Sequence, residues 1–265
     1  PAGRDGIVEV EAPAPLHGRA LVSLQMANNE TGVMQPVAEV AGRARSKGFA
    51  VHTDAVQAAG RVAIDFAALG VDYLSLSSHK LGGPKGVGAL VVRDGAALPA
   101  LIAGGGQERR RRAGTENVAG IAGFGAAAAA ARDGLASIGR LRGLRDRLER
   151  EAREIAPAAV VIGQGAERLA NTTCIALPET GAELVVIKLD LAGIAVSAGA
   201  ACSSGKVSPS HVLAAMGLAP ELARSAIRVS LGYSTTDEDV GTVLNAWAKL
   251  SKGLYKSMNK QEIAA

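Results

Sequence analysis

Aromatic side chains are scarce: three Phe, three Tyr and one Trp, 3% of a chain of 265 residues. With 48% hydrophobic residues overall, the core has to be built from Ala, Val, Leu and Ile. That composition suits Ala-rich helices packed on aliphatic strands. Cysteine is scarcer still. Cys174 and Cys202 cannot make a disulfide framework, and so few thiols fit a reducing, cytoplasmic setting. Long apolar runs are also missing. No stretch reaches the roughly 20 residues of a membrane helix once glycines and charges are discounted, so no membrane partner is expected. The net charge of +4 fits small acidic ligands or an acidic partner and does not call for nucleic acid. The one dense basic run, Arg109-Arg110-Arg111-Arg112, reads as a solvated loop. No metal site is expected.

What is present is an alternation of strand-like and helix-like runs, over a length sufficient for one large domain or two ordinary ones. Residues 20–26 form an apolar run that ends in Asn28-Asn29-Glu30, and residues 36–47 read as a helix with Pro36 at its first turn. Residues 49–53, 71–76 and 88–92 read as strands. The order predicts an α/β sheet with polar residues gathered at strand ends, where ligands sit in such folds. A helical region spans 118–155. Within it Leu135, Ile138, Leu141, Leu144 and Leu148 recur at helical spacing, a stripe expected to pack between two domains. Further strands (160–162, 172–177, 194–197, 226–231) and helices (182–191, 209–216, 240–254) follow. The domain boundary is placed near 134, giving 1–134 as a larger domain and 135–265 as a smaller α+β domain. Pro1-Ala2-Gly3-Arg4-Asp5-Gly6 reads as a turn from the middle of a fold, so a larger domain lacking its N-terminal part is expected.

Four places carry chemistry. In Ser75-Leu76-Ser77-Ser78-His79-Lys80-Leu81-Gly82-Gly83-Pro84-Lys85-Gly86 an apolar strand breaks into small polar residues, then a lysine, then a glycine-rich exit. A lysine at the mouth of a buried strand is partly desolvated, and a free amine can form a Schiff base with a carbonyl. The segment resembles the cofactor lysine of pyridoxal-phosphate enzymes; the alternative is a surface lysine beside a turn. Asp54, in Val51-His52-Thr53-Asp54-Ala55-Val56-Gln57, could keep a pyridine nitrogen protonated, or simply cap a helix. One strand-helix-strand crossover separates Asp54 from Lys80, which places both at one sheet edge. Cys202 lies among small residues in Val196-Ser197-Ala198-Gly199-Ala200-Ala201-Cys202-Ser203-Ser204-Gly205-Lys206. That pattern suggests an accessible thiol with a cation nearby, or an inert cysteine in a linker. Cys174, inside an apolar strand, reads as core. Arg228, also inside an apolar strand, needs a partner: a substrate carboxylate or an internal acid.

Taken in order, these segments, together with Asn28-Asn29-Glu30-Thr31-Gly32, the run Gly104-Gly105-Gly106-Gln107-Glu108-Arg109, Gly114-Thr115 and Ser208-Pro209-Ser210-His211, closely resemble the cysteine desulfurases. These are class V aminotransferase-like, fold-type I enzymes, and the likeness is to the nitrogen-fixation and iron–sulfur branch. The resemblance covers nearly the whole chain. It implies pyridoxal 5′-phosphate on Lys80, Asp54 at the ring nitrogen, Gln57 at the phenolic oxygen, and Ser77 and His79 at the phosphate. It further implies that Thr115 reaches the phosphate of a partner subunit in a homodimer. Asn29, itself beside the cofactor, and Arg228 would hold the carboxylate of L-cysteine. Cys202 would take the sulfur as a persulfide and pass it to an acceptor such as an iron–sulfur scaffold protein. The family's small-residue phosphate turn and its ring-stacking histidine have no counterpart in this sequence. Two other readings follow: a selenocysteine lyase of the same fold, or a non-catalytic product that dimerises or binds a scaffold.

Overall fold

The computed structural model describes residues 2–10, 20–198 and 210–262, the last ten of these by backbone alone. Contacts divide the chain into two units. One, the lysine unit, comprises 10–27 and 35–136; the other, the arginine unit, comprises 1–9, 28–34 and 137–265.

The lysine unit runs β1 (Leu21–Gln25), α1 (Val37–Ser46), β2 (Ala50–Asp54), α2 (Phe66–Leu69), β3 (Tyr73–Ser77), a 3-10 turn (Ser78–Leu81), β4 (Gly88–Val92), α3 (Gln107–Arg110) and α4 (Val118–Gly134). Its sheet has the order β1-β2-β3-β4. The first three strands are parallel and β4 is antiparallel to β3. Helix α1 forms because Val37, Val40, Ala41 and Ala44 recur at helical spacing and are all buried. Glu39 in its first turn and Arg43 and Arg45 in its last complement the helix dipole. Helix α3 is helical in hydrogen bonding only: Glu108 and Arg109 have left-handed backbone angles, φ 49° and 55°. Arg109 to Arg112 are exposed, as expected for a solvated run.

The arginine unit runs α5 (Ile138–Ile155), β5 (Val160–Ile162), β6 (Thr172–Ala176), α6 (Ala182–Asp190), β7 (Ser197–Ala198), α7 (His211–Ala215), α8 (Pro220–Arg224), β8 (Ala226–Ser230) and α9 (Asp237–Glu262). Its sheet, β5-β6-β8-β7, is antiparallel throughout. Leu141, Leu144 and Leu148 of α5 pack with Val185, Ile227, Leu244 and Trp247 in one core cluster. Ile138, Leu141, Leu144 and Leu148 of the expected stripe thus pack within this unit, where α5 and α9 together cover a sheet that supplies the apolar partners; Leu135 belongs to the lysine unit. The helical region 118–155 is also two helices, separated by the 3-10 turn Leu135–Ser137. Among the described residues, no helix is long and apolar enough to cross a membrane.

Candidate active site

Five of the residues singled out in the sequence lie at the carboxyl ends of two neighbouring parallel strands. Asp54 is the last residue of β2 and pairs in register with Ser75 of β3. The chain then turns: the Asp54 carboxylate accepts the Val56 amide at 2.9 Å, and Ala55 N–H donates to the Ser75 carbonyl at 3.1 Å. Gln57 follows in that turn. On β3, Ser77 is the last strand residue and its hydroxyl bonds His79 Nδ1 at 2.9 Å. Lys80 sits in the following 3-10 turn, which ends at Gly82 with φ 86°, a backbone that favours glycine. Lys80 is half-buried and His79 is exposed. Arg61 ties the two turns together. It donates to the Gln57 carbonyl at 2.7 Å and to the Lys80 carbonyl at 3.4 Å. The sequence held no signal for Arg61, a cation after a glycine whose bonds to these two turns go to main-chain atoms.

A polar line leads to this edge. His52 bonds the Ser23 hydroxyl through Nδ1 and the Ser75 hydroxyl through Nε2, both at 2.8 Å, linking three strands. Because side chains alternate along a strand, His52 shares its face with Asp54, and Ser75 shares its face with Ser77.

The lysine turn rests on α4 through small residues. A Cβ on Gly60 would lie 2.9 Å from Ala131 Cβ, one on Gly83 3.0 Å from Ala127 Cβ, and one on Gly123 2.6 Å from Pro84 Cγ. The alanine run of α4 therefore allows close approach of backbone to backbone, which fixes the turn that presents Lys80. Beneath it, the Ser78 hydroxyl is buried without a hydrogen-bond partner. Thr115 stands apart, exposed, in the connection between α3 and α4.

Asn29 and Arg228 belong to the arginine unit. Asn28 Oδ1 accepts the amides of Glu30 (2.9 Å) and Thr31 (3.0 Å), closing a tight turn. Arg228 on β8 donates from Nη1 to the Asn29 carbonyl at 2.9 Å and from Nη2 to the Ser197 hydroxyl at 3.3 Å; its Nε is buried and unpartnered. Cys174, paired in register with Arg228, is fully buried. Burial first, and the nearby Glu30 second, push its thiol up to about 12, so it stays protonated and inert. Glu30 is itself buried and accepts the Ser210 hydroxyl at 2.5 Å. In the sequence Glu30 is marked only by its place beside Asn29. Cys202 and Lys206 lie outside the described residues.

The model of the family described as aminotransferase class-V matches residues 12–243. The chain belongs to the class-V aminotransferases. Among relatives of this family member, a cysteine desulfurase of Cereibacter sphaeroides is 48% identical over 246 residues, 92% of this chain and 63% of the relative. The X-ray structure of a NifS-like protein from Rickettsia africae superposes with a TM-score of 0.84 at 34% identity, over 95% of this chain and 68% of that one. A structure described as SspA in complex with cysteine matches with a TM-score of 0.69 at 29% identity, over 89% of this chain and 66% of that one. The class-V chain described here thus spans about two thirds of the length of these relatives. Its sheet with parallel strands belongs to the fold-type I architecture of that family.

Proposed function

We propose that the protein is a pyridoxal 5′-phosphate-dependent cysteine desulfurase, by which L-cysteine and the Cys202 thiol give L-alanine and a Cys202 persulfide. The observation that carries this reading is the gathering of Asp54, Gln57, Ser77, His79 and Lys80 at one edge of one sheet. That donor set fits the cofactor: a carboxylate for a protonated pyridine nitrogen, an amide for a phenolic oxygen, a hydroxyl and an imidazole for a phosphate, and an amine for an aldehyde. When bound, the cofactor supplies an electron sink for the carbon that bears the substrate amine.

The chain's own residues do the rest. Asp54 would keep the pyridine nitrogen protonated, and the Lys80 amine would hold the aldehyde and serve as the group that takes up the substrate Cα proton. Asn29 and Arg228 grip the substrate carboxylate; the unpartnered Arg228 Nε is a donor free for that purpose. The Cys202 thiolate attacks the substrate sulfur. The Cβ–S bond breaks, its electron pair stays on carbon and is protonated, and alanine leaves. The persulfide then passes to an acceptor such as an iron–sulfur scaffold. Thr115, exposed in the lysine unit, would reach the phosphate held by a partner subunit, which makes the working form a homodimer. A cytoplasmic setting agrees with a chain that has only two cysteines.

The test is a visible spectrum with added pyridoxal phosphate, before and after borohydride, beside Lys80→Ala. A yellow protein that reduces to a stable adduct on Lys80, with a persulfide on Cys202 after cysteine is added, is expected. A colourless protein without an adduct, under conditions where it is folded, rules the reading out.

A further inference from the structure

Asn29 and Arg228, the two residues assigned to the substrate carboxylate, share one support within the arginine unit. Arg228 donates from Nη1 to the main-chain carbonyl of Asn29 at 2.9 Å. That carbonyl is held by a turn which the preceding residue closes. Asn28 is buried, and its Oδ1 accepts three hydrogen bonds: from the amides of Glu30 (2.9 Å) and Thr31 (3.0 Å) and from the Thr31 hydroxyl (3.3 Å). Its main chain adds two more. The Asn28 N–H donates to the Val33 carbonyl at 2.9 Å, and the Asn28 carbonyl accepts the Gly32 amide at 3.0 Å. At its other end the guanidinium donates from Nη2 to the Ser197 hydroxyl at 3.3 Å, and its Nε is buried without a partner.

We propose that Asn28 is a positioning residue for the substrate carboxylate: the turn it closes sets both the Asn29 carbonyl that orients the Arg228 guanidinium and the main chain that carries the Asn29 side chain. This rests on the desulfurase reading and deepens it. Asn28 touches no reacting atom, because its side-chain oxygen is engaged within the turn. A guanidinium is a planar fork, so a carboxylate gains a two-pronged bond only when that plane is aimed at it. The Arg228 side chain is long, and the main-chain oxygen that holds it lies 199 residues away in sequence. Its aim therefore depends on the Asn28 turn and not on β8 alone.

The experiment compares Asn28→Ala, Asn28→Asp and Thr31→Val with the wild-type full chain in two assays. In cofactor-free protein, the Arg228 Nε–H signal, identified by its loss in Arg228→Lys, is followed by nitrogen-15 NMR together with its exchange with water. In cofactor-loaded protein, the shift of the visible band gives the affinity for L-alanine, which carries the carboxylate, and for ethylamine, which lacks it. Asn28→Ala is expected to move the Arg228 signal and speed its exchange. It should weaken L-alanine binding by about tenfold or more, the scale of one lost hydrogen bond to a charged group, and leave ethylamine binding unchanged. Asn28→Asp keeps an acceptor oxygen and should recover most of both effects. Thr31→Val removes one of the three bonds to Asn28 Oδ1 and should fall between wild type and Asn28→Ala. A wild-type Arg228 signal and wild-type L-alanine affinity in Asn28→Ala would overturn the proposal. So would equal weakening of L-alanine and ethylamine, which marks general damage to the site. Should Asn28→Ala fail to fold, the same two readings on Thr31→Val decide between these outcomes. If the wild type takes up no cofactor while the Arg228 signal still responds to Asn28→Ala, the support of Arg228 stands and the desulfurase reading fails.

Discussion

At the scale of single residues, Glu30 has an electrostatic signature of its own. Burial raises its carboxyl above the ordinary 4.5, and the Ser210 hydroxyl, His211 and Arg228 only partly offset this. A carboxyl raised on folding favours the native state while it is protonated. That contribution is complete below the unfolded value and is lost as pH rises through the folded one, after which it stays lost. Glutamine does not titrate. The stability of Glu30→Gln relative to wild type should therefore increase as pH rises from about 4 and level off above the folded pKa, as urea unfolding at a series of pH values would read. A pH-independent difference would mean that the native state ionises Glu30 as readily as the unfolded chain does. Single residues were also where the sequence was most and least legible. Lys80, Asp54, Ser77 and His79 stood out because an apolar run stops at each cluster, and the structure puts them at strand ends. Arg61 and Glu30 did not stand out. Their roles lie in contacts made after folding, to a main-chain carbonyl 19 residues on and to a hydroxyl 180 residues on.

At the scale of elements, most strands and helices follow from periodicity, and the departures have local causes. The short strand expected at 194–197 is only Ser197–Ala198, preceded by Ile194 and Val196, which pack on the core of the arginine unit. The break between α4 and α5 has no proline to announce it. The left-handed turn at Glu108 and Arg109 could not be read from residues that normally avoid positive φ. Glycines show how the same substitution changes sign with its element. Gly42 lies in α1 with open space where a Cβ would go, so Gly42→Ala should stabilise by about 0.5–1 kcal/mol through helix propensity. Gly60 has φ +72°, and its Cβ would meet both Ala131 and Leu81 within 3.0 Å. Gly60→Ala should cost about 1–3 kcal/mol from overpacking alone. It should also shift the lysine turn against α4, lowering the fraction of Lys80 trapped by borohydride. Thermal midpoints moving in opposite directions would check the pair; two shifts of the same sign would contradict the account of α4 packing.

At the scale of the whole molecule, the arginine unit is assembled from pieces far apart in sequence, and a buried ion pair helps to join them. Residues 28–34 are held by Val33 bridging to Arg168, by Met34 N–H on the Glu167 carbonyl (2.8 Å), and by Leu169 N–H on the Gly32 carbonyl (2.8 Å). Arg168 in turn makes a two-pronged bond to Glu149 of α5, at 2.7 and 2.8 Å, with both side chains buried. The turn that carries Asn29 and Glu30 thus hangs on a strap whose far side is clamped to a helix through Glu149. Removing one member of such a pair leaves an uncompensated buried charge, which costs about 3–5 kcal/mol. Replacing both members by apolar residues of similar volume often costs little or nothing. Glu149→Ala should accordingly destabilise the arginine unit by about that amount, and Glu149→Met with Arg168→Leu by much less. The chain's single tryptophan makes the measurement selective. Trp247 is buried in the core of this unit, and its indole N–H donates to the Ala152 carbonyl of α5 at 3.1 Å, so its fluorescence reports this unit's unfolding.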